Sequence, residues 1–155
     1  MQVELNESLP PFTAQATGEH TVTPAELTGS KLIIYFYPKD NTPGCTTEGQ
    51  DFRDQFAAFQ AAGAVIFGVS RDSLRTHSNF KKKHEFPFEL ISDPEEELCK
   101  LFDVIKLKKL YGKEYEGIER STFLIDAQGV LRKEWRKVKV PGHVAEVLAA
   151  TQALD

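Results

Sequence analysis

Two kinds of apolar pattern alternate in the first half of the chain. Residues 32–37 and 64–70 are nearly continuous apolar runs that contain β-branched side chains, which predicts buried strands. Between them, three phenylalanines recur at helical spacing and Gly63 supplies a stop, which predicts one helix over 46–62. The first half of the chain therefore predicts a strand, a helix and a second strand in succession.

The remaining pattern adds several elements. A short hairpin comes before Gly29, and a helix that Asp72 and Ser73 are placed to cap reaches about His84. A strand at 88–91 is followed by a helix from the capping segment 92–96 to about Phe102. The chain then predicts a hairpin of 121–125 and 130–138 around a turn at 126–129, and a last helix over 143–153. This order implies a mixed sheet covered by helices on both faces, in the α/β class. It is the thioredoxin-like plan, and we expect residues 1–155 to form one such domain.

The composition narrows the classes of function. Charged residues make up 27% of the chain and the formal net charge is −4, so no strong field for nucleic acid or for an anionic membrane is expected. The first residues carry no secretory or transit signal, and the longest apolar run is far too short to cross a bilayer. We therefore expect a soluble, cytoplasmic protein.

The two cysteines, Cys45 and Cys99, raise a question of reactivity rather than of a disulfide framework. Cys45 follows a loop over 38–44 with two prolines and a glycine and begins the predicted helix, where free N–H groups and the helix dipole favour a thiolate. The alternative is a small buried cysteine that packs as an apolar residue. The Pro-Gly before Cys45 and the polar residues after it favour an exposed helix N-terminus, at the sheet edge where such folds bind ligands.

Three residues around this helix start are spaced as in a known family. Pro38, Thr42 and Cys45 match the peroxiredoxin motif of a proline, a threonine and the peroxidatic cysteine. More narrowly, the chain resembles the bacterioferritin comigratory protein, or peroxiredoxin Q, subfamily over about residues 9–148. The segments that carry this likeness are 35–39 (YFYPK), 42–46 (TPGCT), 67–70 (FGVS), 90–93 (LISD) and 120–126 (RSTFLID).

The resemblance implies a thiol-dependent peroxidase in which Cys45 attacks hydrogen peroxide or an organic hydroperoxide and becomes a sulfenic acid. Thr42 would orient the peroxide, and the N–H groups of Gly44 and Cys45 would hold its oxygens. Pro38 would shield the sulfur from water and fix the loop. Arg120 matches the active-site arginine of the family, whose charge would stabilise the thiolate and the charge that moves to the leaving oxygen.

Glu48 lies one helical turn beyond Cys45, where an unpaired carboxylate would disfavour the thiolate. We infer that an arginine pairs with it, and Arg120 and Arg53 are both candidates. Such a pair would orient the guanidinium. Stabilisation of the helix N-terminus is an equally good account of Glu48.

A sulfenic acid at Cys45 must react with a second thiol. Many members of the subfamily carry a second cysteine where this chain has Gln50, and others carry one in the segment 79–81, here NFK. Cys99 lies on the apolar side of its predicted helix, which favours a structural role. We therefore predict a one-cysteine cycle in which a small thiol, a thioredoxin or a glutaredoxin reduces Cys45. A Cys45–Cys99 disulfide, or a redox sensor without turnover, is the alternative.

Other chemistry is not indicated. The histidines are scattered without a cysteine or an acid at metal-ligand spacing, so no metal site is predicted; they are His20, His77, His84 and His143. No Gly-rich phosphate loop precedes a helix, and Glu48 stands where a Cys-x-x-Cys pair needs its second cysteine, so we expect no cofactor and no dithiol oxidoreductase. The lysine-rich segments 81–83 and 106–110 are interpreted as solvated faces, and the family suggests a monomer.

Overall fold

A computed structural model of the chain describes residues 2–154. The strands are β1 (Ala14–Ala16), β2 (His20–Val22), β3 (Lys31–Phe36), β4 (Ala64–Ser70), β5 (Glu89–Ser92), β6 (Ile105–Leu110), β7 (Lys113–Ile118), β8 (Ser121–Ile125) and β9 (Leu131–Trp135). The helices are α1 (Pro24–Leu27), α2 (Pro43–Asp54), α3 (Phe56–Ala61), α4 (Leu74–His84), α5 (Glu97–Leu101) and α6 (His143–Ala153). No helix among the described residues is long and apolar enough to cross a membrane.

Seven of the strands form one mixed sheet in the order β2-β1-β5-β4-β3-β8-β9. The central strands β3, β4 and β5 run parallel, while β8 pairs antiparallel with β3 and β9 extends the sheet as a hairpin. The predicted mixed sheet is therefore confirmed, with the parallel crossovers at its centre. Because β3 and β4 are parallel neighbours, the loops that leave their carboxyl ends meet at one edge of the sheet.

Alternate side chains of β3 point to opposite faces of the sheet and enter two separate clusters. Ile33, Tyr35 and Tyr37 belong to the first, which we call the α2 layer; its other buried members include Cys45, Phe52, Phe59, Phe80, Phe86 and Val147, from the loops and helices on that face. Leu32, Ile34 and Phe36 belong to the second, the α5 layer; its other buried members include Leu98, Cys99, Phe102, Val104 and Phe123. Helices thus cover both faces, as predicted.

Three predicted boundaries are wrong. The single helix expected over 46–62 is divided into α2 and α3 at Gln55, whose φ of −103° and ψ of 8° leave the helical region without any glycine or proline to signal it. Helix α5 begins only at Glu97, because Glu96 adopts a left-handed φ of 60°. The last strand of the hairpin ends at Trp135 rather than at residue 138.

A further hairpin was not predicted. Strands β6 and β7 form a separate two-stranded sheet, joined by a turn in which Tyr111 and Gly112 have φ values of 51° and 77°. Leu107 and Tyr111 are 62% and 95% exposed, and only the base of the hairpin, at Ile105 and Ile118, packs against the core. The interpretation of segment 106–110 as solvated is consistent with this exposure, but the strand itself was missed.

Gly49 is a buried residue of α2 that packs against the ring of Phe86, and a β-carbon at this position would overlap that ring. Alanine favours a helix over glycine by about 1 kcal/mol. We nevertheless expect Gly49→Ala to lower the free energy of unfolding by about 1–3 kcal/mol, because the overlap displaces a packed aromatic ring. Urea unfolding of the variant measures this loss.

Thr47→Ala, at an exposed position of the same helix, is the matched control and should change stability by less than about 0.5 kcal/mol. A Gly49→Ala variant as stable as this control would show that the ring contact does not restrict the position.

Candidate active site

Cys45 is the third residue of α2, which begins at Pro43. The first backbone bond of the helix runs from the N–H of Thr46 to the carbonyl oxygen of Thr42, over 2.9 Å. The N–H groups of Gly44 and Cys45 precede that bond and lie at the positive end of the helix dipole. The sulfur therefore sits at a helix N-terminus beside the carboxyl end of β3, as predicted.

The burial of Cys45 differs from the prediction. Its exposed fraction is only 2%, so the expectation of an exposed helix N-terminus is wrong. The third residue of α2 faces the sheet, and its side chain packs into the α2 layer with Tyr35 and Tyr37. A reactive sulfur in this position is open only to small molecules unless the surrounding loop moves.

Arg120 is the charged group beside the sulfur. It lies between β7 and β8, where its carbonyl oxygen accepts from the N–H of Val138 over 2.9 Å. Its Nη2 donates to Sγ of Cys45 over 3.3 Å, and its Nη1 donates to Oε1 of Glu48 over 2.6 Å. One guanidinium thus bridges the sulfur and a carboxylate that lie on successive turns of α2.

The arginine that pairs with Glu48 is Arg120, so the alternative of Arg53 is wrong. Arg53 Nε bonds Oδ1 of Asp54 over 3.0 Å, and its Nη1 donates to the carbonyl oxygen of His84 over 2.9 Å. The side chain of Arg53 points along α2 toward α4 and binds neither Glu48 nor Cys45 among the described contacts.

Gly44 allows the guanidinium to approach the helix N-terminus. A β-carbon at this position would lie 3.2 Å from Nη2 of Arg120, which is tighter than an ordinary carbon contact. Glycine therefore fits here because of the close approach of the Arg120 side chain.

Thr42 and Pro38 lie in the loop between β3 and α2, before the helix that carries Cys45. The Thr42 hydroxyl donates to the carbonyl oxygen of Lys39 over 2.8 Å, so its lone pairs remain available as acceptors. Thr42 and Pro38 are both half-buried. The structure thus brings Cys45, Thr42, Gly44, Arg120 and Pro38 to one edge of the sheet.

The sequence matches the model of the AhpC/TSA family over residues 5–134, a span that includes every residue of this constellation. This chain belongs to the AhpC/TSA family. Among its relatives, Peroxiredoxin Bcp of Bacillus subtilis is 53% identical over 148 residues, which cover 96% of this chain and 94% of the relative. Peroxiredoxin Bcp of Xanthomonas campestris is 58% identical over 125 residues, 81% of this chain and 78% of the relative.

Solved structures of such proteins have the same fold. Peroxiredoxin Q of Xanthomonas campestris, 53% identical, matches with a TM-score of 0.88 over 92% of this chain and 90% of that one. A mutant of Xylella fastidiosa peroxiredoxin Q, 42% identical, matches with a TM-score of 0.92 over 99% and 98%. The resemblance to peroxiredoxin Q and the thioredoxin-like fold are confirmed, and the chain is a thiol-dependent peroxidase.

Burial controls the charge on Glu48 in this peroxiredoxin. Its exposed fraction is 0%, and its Oε2 has no hydrogen-bond partner among the described residues. Burial raises the pKa of Glu48 to about 7, although the Arg120 guanidinium opposes the rise. The Tyr35 hydroxyl is also buried and unpartnered within the described chain, and burial, reinforced by Glu48, raises its pKa. The floor of the site is therefore shielded from bulk solvent.

Cys99 lies on the opposite face of the peroxiredoxin sheet from Cys45. It belongs to the α5 layer and is 0% exposed, whereas Cys45 belongs to the α2 layer. Burial, together with a hydrogen bond to Asp93, raises the pKa of the Cys99 thiol well above its ordinary value. Both cysteines are free, and the sheet separates them.

His77 has an acidic partner that sequence spacing did not reveal. Its Nδ1 lies 2.6 Å from Oδ2 of Asp40, and both side chains are fully buried, so the fold brings together two residues that are 37 positions apart in the sequence. Asp72 lies close enough for these three residues to resemble a set of metal ligands. Their ligand atoms are instead engaged in hydrogen bonds to one another and to their surroundings.

Large surface grooves lie away from the sulfur. One groove of about 610 Å³ is lined by residues that include Leu9, Phe12 and Pro24, and its lining does not include Cys45 or Arg120. A peroxide is a small ligand that needs only a few donors beside the sulfur. The chemistry of the constellation, rather than groove size, therefore locates the candidate site.

Glu48→Gln fixes this side chain in an uncharged form of the same shape. Burial raises the pKa of Glu48 from 4.5 to about 7. Between these two values the folded protein retains a proton that the unfolded chain has released, so the free energy of unfolding falls as the pH rises from the lower value to the higher one. We expect Glu48→Gln to gain stability relative to the wild type between about pH 5 and about pH 8, by about 1–3 kcal/mol. Urea unfolding at both pH values measures the difference.

Glu26→Gln is the control, because Glu26 is exposed on α1. Its stability difference from the wild type should not change with pH. Identical pH dependence in Glu48→Gln and in the wild type would contradict the assignment of this titration to Glu48.

Proposed function

We propose that this peroxiredoxin reduces hydrogen peroxide and organic hydroperoxides through Cys45, in a one-cysteine cycle completed by an external thiol. The observation that carries the proposal is the 3.3 Å contact between Nη2 of Arg120 and Sγ of Cys45 at the first turn of α2. A guanidinium can only donate, so the sulfur accepts, as a thiolate does. The helix N-terminus adds positive potential at the same atom.

The proposed chemistry is a displacement on the O–O bond. The Cys45 thiolate attacks one peroxide oxygen, an S–O bond forms, and the electron pair of the O–O bond leaves with the other oxygen as alkoxide or hydroxide, which takes up a proton. The sulfur is oxidised to sulfenic acid and the peroxide is reduced to an alcohol or water. Arg120 lies where negative charge spreads from the sulfur toward the leaving oxygen.

The donors and acceptors around Cys45 would orient the peroxide. The N–H groups of Gly44 and Cys45 would donate to its oxygens, while Thr42, whose hydroxyl hydrogen is engaged with Lys39, would accept its O–H. Pro38 would limit the access of water to the sulfur. A solved structure of the Xanthomonas campestris bacterioferritin comigratory protein, 52% identical, concerns the alkyl peroxide reduction activity of that protein, and this supports organic hydroperoxides as substrates here.

Reduction of the sulfenic acid would need a thiol from outside the chain. Gln50 occupies one position where relatives carry a second cysteine, and Cys99 lies beyond the sheet. A first external thiol would form a mixed disulfide with Cys45 and release water, and a second would release Cys45 as thiol. The reductant would be a small thiol, a thioredoxin or a glutaredoxin, acting on a cytoplasmic monomer.

Mass spectrometry after one equivalent of hydrogen peroxide tests the one-cysteine cycle. We expect a single added oxygen, or its thiol adduct, at Cys45 and an unmodified Cys99. Cys99→Ser should keep its turnover with glutathione or dithiothreitol within about 2-fold, because Cys99 makes no contact with the site. Cys45→Ser should abolish turnover. A Cys45–Cys99 disulfide as the main product would refute the cycle.

Arg120→Met and Arg53→Met form a matched pair, because the two arginines flank the same helix and only Arg120 touches the sulfur. Loss of the Arg120 charge should lower the second-order rate constant for hydrogen peroxide by about 10²–10³-fold. Arg53→Met should remain within about 2-fold of the wild type. Stopped-flow peroxide consumption measures both, and equal losses in the two variants would remove Arg120 from the mechanism.

A further inference from the structure

Asp40 and His77 form a buried polar pair next to the active-site loop. Asp40 lies in the loop between β3 and α2, two residues before Thr42, and His77 lies on α4. Both side chains are 0% exposed, and Oδ2 of Asp40 lies 2.6 Å from Nδ1 of His77. The mechanism proposed above uses neither residue.

The hydrogen bonds fix the protons of this pair. Nε2 of His77 lies 2.9 Å from the carbonyl oxygen of Ile91, which can only accept, so Nε2 carries a hydrogen. The short contact between Nδ1 of His77 and Oδ2 of Asp40 then requires a second hydrogen between these two atoms, bonded to one of them. Oδ1 of Asp40 accepts from the Tyr37 hydroxyl over 2.6 Å.

The backbone of Asp40 is fixed as well. Its N–H donates to Oδ2 of Asp72 over 2.9 Å, and the same oxygen accepts from the Ser70 hydroxyl over 2.5 Å. The next residue, Asn41, adopts a left-handed φ of 65°, a conformation that asparagine tolerates better than most L-residues. The loop that carries Thr42 is thus attached to α4 and to the end of β4 immediately before it turns into α2.

We propose that Asp40 and His77 are a positioning pair: they hold the loop so that Thr42 and the first N–H groups of α2 meet a peroxide at the sulfur, and so that Cys45 stays closed to larger molecules. The proposal rests on the proposed function for its first half. Its second half rests on the 2% exposure of Cys45, which a movement of this loop would increase.

Stability alone is a poor account of the pair. Burying a charged or proton-sharing pair costs desolvation that its mutual attraction only partly offsets, and apolar residues of similar volume often serve stability as well. The pair instead fixes the orientation of the loop, because four hydrogen bonds hold Asp40 and His77 relative to β3, β4, β5 and α4. A metal ion is not needed to explain the cluster, since the contact between Nδ1 and Oδ2 is already a hydrogen bond.

Asp40→Asn tests the proposal, with Asp126→Asn as its matched control. Asp126 is also a buried carboxylate, 3% exposed, and it accepts from Val130 N–H over 3.0 Å and from Arg132 Nε over 2.7 Å. It lies after the carboxyl end of β8, at the opposite edge of the sheet from Cys45, since Ile125 pairs with Leu32 at the start of β3. The two variants therefore make the same chemical change at opposite edges.

Two rates at Cys45 are measured by quenched mass spectrometry: oxidation by hydrogen peroxide and modification by the bulky disulfide dithiodipyridine. We expect Asp40→Asn to slow peroxide oxidation by about 10–100-fold, because the donors lose their alignment. The same variant should speed modification by dithiodipyridine by about 10-fold, because the loop opens more often. Asp126→Asn should change both rates by less than about 2-fold, even where its loss of stability is equal.

A general loss of structure would also expose Cys45, so a positioning role is identified by opposite changes in Asp40→Asn that are absent from Asp126→Asn at an equal loss of stability. Equal behaviour of Asp40→Asn and Asp126→Asn, or a fall of both rates in Asp40→Asn, would overturn the proposal. If Asp40→Asn does not fold, Asp72→Ala at a half-buried position leaves the Asp40–His77 contact in place and removes the acceptor that the Asp40 N–H shares with the Ser70 hydroxyl. It should move the two rates in the same opposite directions by smaller factors, and unchanged rates would overturn the proposal.

The proposed function can fail separately. Wild-type Cys45 that reacts with peroxide no faster than free cysteine would remove the peroxidase mechanism and the first half of the positioning role. The dithiodipyridine rates would still decide whether Asp40 and His77 keep the loop closed.

Discussion

The structure of the site depends on one half-buried guanidinium that is shared between a sulfur and a carboxylate. Arg120 contacts Cys45 and Glu48 at once, and Glu48 is fully buried without a second partner among the described residues. In a low dielectric each of these charges would be costly alone. Three features bring these groups together: Arg120 lies just before β8, Gly44 has no side chain, and one helical turn separates Cys45 from Glu48.

This arrangement sets two opposing demands on the loop before α2. A dry, closed site strengthens the field of Arg120 at the sulfur and excludes water, which suits attack on a small peroxide. The same closure leaves Cys45 only 2% exposed, which hinders any larger thiol that must reach the sulfenic acid. In the proposed cycle, the hydrogen bonds of Asp40 would have to be strong enough to align Thr42 and weak enough to open in each turnover.

The pattern of apolar residues predicted several elements well because their side chains pack against the core along the whole element. The bounds of β4, β8 and α6 agree with the periodicity of their apolar residues. The break at Gln55 lies inside a continuous helical spacing of phenylalanines, and no glycine or proline marks it. Most of the hairpin of β6 and β7 is exposed, so burial imposes no pattern on its sequence. The likeness to peroxiredoxins supplied Cys45, Thr42 and Arg120, but the burial of Cys45 and the choice of Arg120 over Arg53 depend on packing between segments 75 residues apart.

The packing of the two cysteines also determines which thiol can reduce an oxidised Cys45. Cys45 and Cys99 enter different layers because alternate residues of β3 face different sides of one sheet, and a disulfide between them would require the sheet itself to open. The loop and α2 can move while the sheet stays intact, at the cost of far fewer contacts. On the α2 side, Gln50 instead lies 3.4 Å from His84 on α4, where it offers no thiol. Opening of the loop toward an external reductant is therefore a less costly route for the sulfenic acid than pairing with Cys99.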